Sequence, residues 1–508
     1  MDFGDLRLPK NEYAAEDLEK AIETNTLPAF AAKVINDYQQ FIKKVQKANR
    51  YYISVNDVAC NIGTEERIKR LEETIKAMQT NPLRSADNKR AHGFYGLLVN
   101  QKISYLFSEQ ITFTSKNKEF NKHLEELSKA LFEVIDELAV YASNGGRSWL
   151  YPYLDNMGNF KLAACEALNV IPFYDSTIEK RLKYCMRIYE NTFEVLSADE
   201  TMYYDKNDKG AYQQRLDKNK NPVKGYHYYE TKEKLLSKKQ YSVGKTWGQF
   251  PIIEFDNNIV KCDDLDPVKP FIDAYDMVVN LYLNDVEDLQ QLIFVLINYG
   301  GQDLEQFIQD LKTYKAIKVT KTGAGTDGGV DTLKVDIPVE ARTKLLEIIE
   351  NNIWRLGQGV DPNPESIGEA TSGVALKHLY GLLELKAGLM ESQFRGGINK
   401  LLDIYKIYLK ETKKGDFMNE SVDTVITKTM ITNDTETITN LANSQSFISK
   451  RTLVANHPYV DNVEDELKQI KKEQEEAIEQ YHFEDPDEDD DDKNKNPNKE
   501  NGNVNEQE

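Results

Sequence analysis

At 508 residues the chain is too long for a single ordinary core, and its 40% hydrophobic content is ample for several domains. A formal charge of −20 excludes a free-standing nucleic-acid binder of the usual kind, since such binding needs Lys and Arg to displace counterions from phosphates. Between Phe483 and Glu508 eleven acidic residues stand against three lysines, so that stretch supplies −8 and the rest of the chain still carries −12.

The opening MDFGDLRLPKNEY has no apolar core behind a basic start, and no window approaches about eighteen uninterrupted apolar residues, so a soluble, unexported protein is expected. Apolar residues at helical spacing from Ala14 to Lys47 predict two helices divided at Pro28. A helical or mixed region follows to Met78. In Ala86 to Phe107 the positions Phe94, Leu97, Leu98, Lys102 and Tyr105 suggest a helix buried along one side, with the strand-like ITFTS after it. Leu124 to Tyr141 is a further helix, ended by the turn cluster Ser143-Asn144-Gly145-Gly146.

From Trp149 to Phe255 the pattern becomes a β meander, in which WLYPYL, FKLAACEAL, NVIPFYD, LKYCMRIYE and PIIEF alternate with polar turns and suit one antiparallel sheet. Asp266 then caps a helix that has Pro267 in its first position. Val268, Phe271, Ile272, Tyr275, Val278, Val279 and Tyr282 form its apolar stripe, while Asp273, Asp276, Asn280 and Glu287 form an acidic and amide face directed away from it. Leu289 to Asn298 is an apolar run, Leu304 to Tyr314 a short helix, and KAIKVTK and DTLKVDI are two strands joined by a glycine-rich loop. Val339 to Leu356 is a second long helix that stops at Gly357, and a loop from Gln358 to Ser372 precedes a third. That third helix runs to about Leu409 with Leu376, Leu379, Leu383, Ala387, Met390 and Phe394 as a seam, and Leu382, Leu385 and Leu389 carry apolar surface round the cylinder. Gly381 and Gly388 each cost about 1 kcal/mol there relative to alanine, which suggests a bend or a close neighbour. VDTVITKTM is a strand, Thr435 to Tyr481 a small helical group, and the acidic end beyond it is expected to be disordered.

Motifs for catalysis are weak. Gly244-Lys245-Thr246 is half of a phosphate-binding loop, with Lys239 where the first glycine must stand. Gly323-Ala324-Gly325-Thr326-Asp327-Gly328 satisfies GxGxxG but runs into a strand where a dinucleotide site needs a helix. The run Asp487 to Asp492 lacks the turn glycine and spaced ligands of a calcium loop. His92, His123, His227, His378, His457 and His482 share no metal-ligand spacing, and Cys60, Cys165, Cys185 and Cys262 form no CxxC pair and fit packing roles in a reducing compartment. No catalytic residue, cofactor or metal site is expected, and the chain does not read as an enzyme.

In the same order along the chain, the ADNK segment with LLVNQKISYLF, ASNGGRSWLYPYLDNMGNF, VIPFYD, GQFPIIEFDNN, DLDPVKPFIDAYDMVVNLYLNDVED and SGVALKHLYGLLELKAGLMESQF resemble the tailed-bacteriophage portal proteins of the SPP1 type. The resemblance implies an α+β portal fold of long helices and an antiparallel meander, assembled as a homo-oligomeric ring, typically of twelve copies. It places a wing at 1–266, a first stem helix at 267–289, a clip at 290–337 and a second stem helix at 338–357. A tunnel loop follows at 358–372, a long kinked helix with a return strand at 373–433, a crown at 434–482 and a disordered acidic tail at 483–508. Its implied partners are double-stranded DNA passing without sequence specificity, the terminase large subunit, a head-tail adaptor, and major capsid and scaffolding proteins. No membrane is involved, and the place is the virion, at the capsid portal vertex, after assembly in the bacterial host cytoplasm.

Under that resemblance Asp273, Asp276, Asn280 and Glu287 are candidates for lining the DNA channel, where an acidic wall would not hold phosphates. Pro362, Asn363, Pro364, Glu365 and Ser366 are the candidate tunnel-loop residues. Two other readings stay open: a minor head or scaffold protein that forms no ring, and a nucleotide-dependent DNA-processing enzyme built on the partial GKT motif.

Overall fold

β1 (Tyr13–Ala14) leads straight into α1 (Ala15–Glu23), and α2 (Leu27–Tyr52) follows with Pro28 in its first turn, where a missing N–H costs nothing. Pro28 thus starts the second helix, as its position implied. This is a computed structural model that describes residues 11–59, 86–155, 157–233, 240–289, 293–297, 329–333, 338–363, 373–429, 434–460 and 463–482. The expected helical or mixed region between Lys47 and Met78, the helix over 304–314, the strand KAIKVTK, the GxGxxG loop and the acidic tail lie wholly or mostly outside those residues. The chain divides into two compact units, 1–370 with 377–430, and 371–376 with 431–508.

Ala31, Val34, Tyr38, Phe41 and Val45 recur every three or four residues along α2 and are buried, so one stripe of the helix seals one face of a sheet. The Tyr38 hydroxyl satisfies itself there by donating to the carbonyl oxygens of Ala167 (2.7 Å) and Val170 (3.1 Å). That sheet is built from β5 (Val170–Tyr174), β6 (Leu182–Ile188), β7 (Thr192–Leu196) and β8 (Thr201–Lys206) as antiparallel neighbours, with β9 (Tyr212–Gln214) and β10 (Lys224–Gly225) on β8. β1 joins its other edge, parallel to β5.

The single meander expected from Trp149 to Phe255 is in fact divided. β3 (Arg147–Leu154) pairs with β4 (Phe160–Glu166) and β13 (Ile253–Asp256) in a separate three-stranded sheet, while β11 (Tyr228–Glu233) and β12 (Gln240–Lys245) form a hairpin. The division follows from burial on both faces. Leu150 enters the large helical core, while its neighbour Trp149 turns the opposite way to meet Val170, Cys185 and Ile252.

The helical core takes α3 (Phe94–Phe107) and α4 (Lys118–Gly145), joined by β2 (Thr112–Thr114). α4 begins where Asn117 accepts from the N–H groups of Glu119 and Phe120, and ends at Gly146, whose φ of 76° and contact with the Lys261 backbone leave no room for a side chain. α5 (Lys269–Leu289), α6 (Val339–Gly357) and α7 (Gly373–Glu411) pack onto this pair, burying Ile272, Ile353, Leu383, Met390, Phe394 and Leu401. β16 (Asp423–Val425) returns to pair with β2. α5 starts two residues later than expected from Pro267. Its lead-in turn is fixed by Asp263, which accepts from Leu265 N–H and Asp266 N–H, whereas Asp266 is exposed and pairs with Lys44 at 2.7 Å. Beyond α5, β14 (Ile293–Ile297) pairs antiparallel with β15 (Gly329–Leu333).

Two expectations about glycine change. Gly381 and Gly388 have no described atom within 4 Å of where a Cβ would stand, so nothing among the described residues crowds them; the close approach in α7 is at Gly397, against the Phe255 ring. Gly357 lies inside α6 beneath Leu98, and Gln358 ends the helix in the left-handed conformation at φ 55°. The second unit consists of α8 (Asp434–Ser444), α9 (Lys450–Ala455) and α10 (Val463–His482).

Arg147, 1% exposed at the start of β3, binds Glu12 (2.6 Å), Glu254 (3.2 Å) and the Tyr174 hydroxyl (3.0 Å), tying the N-terminal segment to two sheets. Burial alone would raise the Glu12 carboxyl, but Arg147 and Lys261 hold it below the usual carboxylate range. A depressed folded pKa means that its stabilisation is full above the unfolded value and is lost as pH falls through the folded one. Glu12→Gln is therefore expected to cost about 1 kcal/mol near pH 7, with the gap from the parent narrowing below about pH 4.5, in thermal melts recorded across pH. A gap that widens in acid would contradict the pairing.

Candidate functional site

The polar face of α5 is where sequence and structure part most clearly. Lys269, Asp273, Asp276, Asn280, Asn284 and Glu287 follow one another at three- and four-residue steps and so share one side of the helix. Segment 86–92 lies extended along that side. Asn88 N–H donates to Asn284 Oδ1 at 2.7 Å, and the Asn88 amide reaches Glu287 at 3.1 Å. Asn280 accepts from Arg90 N–H and donates to the Arg90 carbonyl, both at 2.8 Å. Asp276 accepts from His92 N–H at 3.0 Å, lies 2.7 Å from His92 Nδ1, and accepts from the Asn56 amide at 2.6 Å.

The register has a geometric cause. Two residues of extended chain advance about 6.6–6.8 Å, and four residues of α-helix advance about 6 Å. Positions 88, 90 and 92 therefore meet 284, 280 and 276 in turn, running antiparallel to the helix. The alternate residues Asp87 and Lys89 are exposed and paired with each other, and Arg90, whose backbone bonds Asn280, is exposed as well.

At the root of the helix, the Tyr51 hydroxyl donates to Asp273, and Lys269 bridges Asp273 and Asp57, the latter at 2.8 Å, while lying 5.2 Å from the centre of the Tyr51 ring. Burial and the Asp273 hydrogen bond both push the Tyr51 hydroxyl pKa up. Burial alone would lower the Lys269 ammonium, but Asp273 and Asp57 raise it above its ordinary value.

A second polar assembly pins the lead-in to α5. Lys102, in the middle of α3 and 0% exposed, pairs with Asp264 at 2.5 Å and donates to Asn257 Oδ1 at 2.7 Å. Asn257 donates in turn to Asp264 at 2.9 Å, and Lys386 of α7 stands 3.3 Å from the same carboxylate while donating to the Gly357 carbonyl at 3.0 Å. Burial drives the Lys102 pKa down to about 8 against the pull of Asp264. Burial would raise Asp264, but Lys102 and Lys386 hold it at about 2. One buried carboxylate thus ties α3 and α7 to the lead-in of α5.

These contacts correct the lining expectation. Asp276 is 0% and Asn280 4% exposed, so neither is part of a wall of the described chain; both are used up internally because segment 86–92 needs partners for its N–H and carbonyl groups. Asp273 is partly exposed but engaged by Tyr51 and Lys269, and Glu287 is exposed. The outer side of α5 is apolar instead, with Met277 56% and Leu281 50% exposed. Of the tunnel-loop residues, Pro362 and Asn363 are described and exposed, with Asn363 N–H donating to Asp361 at 2.9 Å; Pro364, Glu365 and Ser366 lie outside the described residues. The reading of 86–107 as helix from its first residues missed the extended segment. Its signal was available in Asn88, Arg90 and His92 at a two-residue step.

The half-motif Gly244-Lys245-Thr246 begins within β12, where Gly244 lies against the Tyr226 ring and Lys245 pairs with Glu411 at 2.8 Å, so no N–H cradle forms at a helix start. Among the described residues no group of three or more His, Cys, Asp or Glu could hold a metal ion, and no helix is long and apolar enough to cross a membrane.

Comparison with known proteins adds to these observations. The portal protein of Clostridium phage phiCD119 is 32% identical over 447 residues, covering 83% of this chain and 91% of its own. The portal protein of Bacillus phage SPP1 is 31% identical over 482 residues, covering 92% and 90%. A chain from the neck of an empty GTA particle, computed with C6 symmetry, aligns with a TM-score of 0.41 and 10% identity over 75% of this chain and 92% of its own. The family described as phage portal protein, SPP1 Gp6-like, matches residues 31–480, and the chain therefore belongs to this family of phage portal proteins.

Proposed function

We propose that the chain is the repeating subunit of a closed ring at one capsid vertex, through which double-stranded DNA enters and later leaves. The observation that carries the reading is apolar surface left uncovered on three adjoining helices. Met277 and Leu281 of α5, Leu345 and Ile348 of α6, and Leu382, Leu385 and Leu389 of α7 are all at least 40% exposed. Rows of this kind on packed helices call for a partner, and copies of the same chain supply one by a head-to-tail contact that closes into a ring.

In that ring, typically of twelve copies, residues 1–266 form the wing, 267–289 and 338–357 the stem, and 290–337 the clip. Residues 358–372 form the tunnel loop, 373–433 the long helix and its return strand, 434–482 the crown and 483–508 an acidic tail. Glu287 keeps the role of a lining residue, alongside the tunnel loop with Pro362 to Ser366. The terminase large subunit, a head-tail adaptor, and capsid and scaffolding proteins are the partners, after assembly in the host cytoplasm, and the chain carries out no hydrolysis itself.

Electron microscopy of the purified full chain is expected to reveal rings with a central hole, and Leu281→Asp combined with Leu385→Asp to reduce ring yield about tenfold or more while leaving a folded monomer by circular dichroism. A parent protein that stays monomeric at micromolar concentration would overturn the ring.

A further inference from the structure

Among its described residues the second unit has no core of its own. Its three helices have 11, 6 and 20 residues, and none of its described side chains is buried. Helices this short gain little stability alone, and small units without metal or disulfide rely on association. Between the helices lies a cleft of about 340 Å³ lined mainly by apolar groups, among them Ile438, Leu441, Leu453, Val454 and Ile470, with Glu466 as the one carboxylate in its lining.

The same unit carries a side chain suited to that cleft. Phe447, in the turn between α8 and α9, is 88% exposed and makes no ring contact among the described residues. Tyr459, also exposed, already packs its ring on His457 of the cleft lining, 5.6 Å between centres. Lys450 is exposed three residues after Phe447, and Glu466 has no ion pair among the described residues. An aromatic knob beside a cation therefore matches an apolar cleft beside an anion, both presented by one chain.

We infer that Phe447 of one copy enters the cleft of the next, with Lys450 set against Glu466, so that each cleft is completed by the neighbouring subunit. The contact joins two different patches, the heterologous kind that propagates around a ring. This rests on the ring reading above and adds to it a specific subunit-to-subunit lock.

The test uses the full chain carrying both Phe447→Cys and Leu453→Cys, oxidised and resolved on denaturing gels, with each single variant as background for the native cysteines. A ladder of linked multimers in the double variant alone is the expected result. Rings seen by microscopy with no ladder, or with a disulfide only inside one chain, would overturn this lock while leaving the ring intact. Absence of rings in the parent protein would overturn both. A second readout is independent of cysteine chemistry: Phe447→Asp rings should be cut by trypsin after Lys450 and Arg451 faster than parent rings, and equal cutting would count against the lock.

Discussion

Lys102→Met is expected to destabilise the fold by about 3–5 kcal/mol, the cost of removing one partner from a buried ion pair. Asp264 would stay buried with Lys386 3.3 Å away as its remaining cation, and Asn257 would lose the donor now 2.7 Å from its side-chain oxygen. Lys386 should keep the loss toward the lower end of that range. Replacing both partners, as Lys102→Met with Asp264→Leu, removes the uncompensated charge and should recover much of the loss. Denaturant midpoints of the parent, both single variants and the double variant measure the coupling directly. A single-variant cost below about 1 kcal/mol would mean that the pair is not sealed from water. Because Lys102, Asp264 and Lys386 connect α3, the lead-in to α5 and α7, the single variant should also lose the proposed ring assembly near the temperature at which it melts.

Asp276→Ala should release segment 86–92 from α5 at a cost of about 3 kcal/mol, because the Asn56 amide and the His92 N–H groups would lose their buried acceptor. Lys89 and Arg90 make this release visible, since trypsin cuts after either once the segment can enter the protease. Faster cleavage at 89–90 and a lower melting temperature are expected together, with Asp276→Asn intermediate because its amide oxygen still accepts. Cleavage unchanged from the parent would show that the other contacts, at Asn280 and Asn284, hold the segment unaided.

Much of the architecture was legible along the chain. Pro28 and the Gly145-Gly146 pair mark helix ends by chemistry that acts within a few residues, and the apolar seam of α7 from Leu383 to Phe394 is buried as its spacing required. The ordered series of family segments likewise depends on sequence alone. Local pattern could not assign strands to sheets: WLYPYL looks the same whether it joins the larger meander or, as it does, stands between β4 and β13 with Trp149 and Leu150 entering different cores.

The polar face of α5 illustrates the same limit. Helical periodicity determined that Asp273, Asp276, Asn280 and Glu287 share one side, but periodicity only separates faces and does not say which one meets water. That was decided by residues about 190 positions away, since Arg90 and His92 bring backbone groups that need acceptors and donors just where Asn280 and Asp276 offer them. The buried Lys102 has the same origin: its spacing placed it on the buried side of α3, but only Asp264 and Asn257, arriving from a distant loop, make the burial of its charge tolerable. Sequence by itself determined the family, the helices and their faces. Only the tertiary structure decided which faces are covered, because burial of a polar group depends on partners that the chain supplies from far along its length.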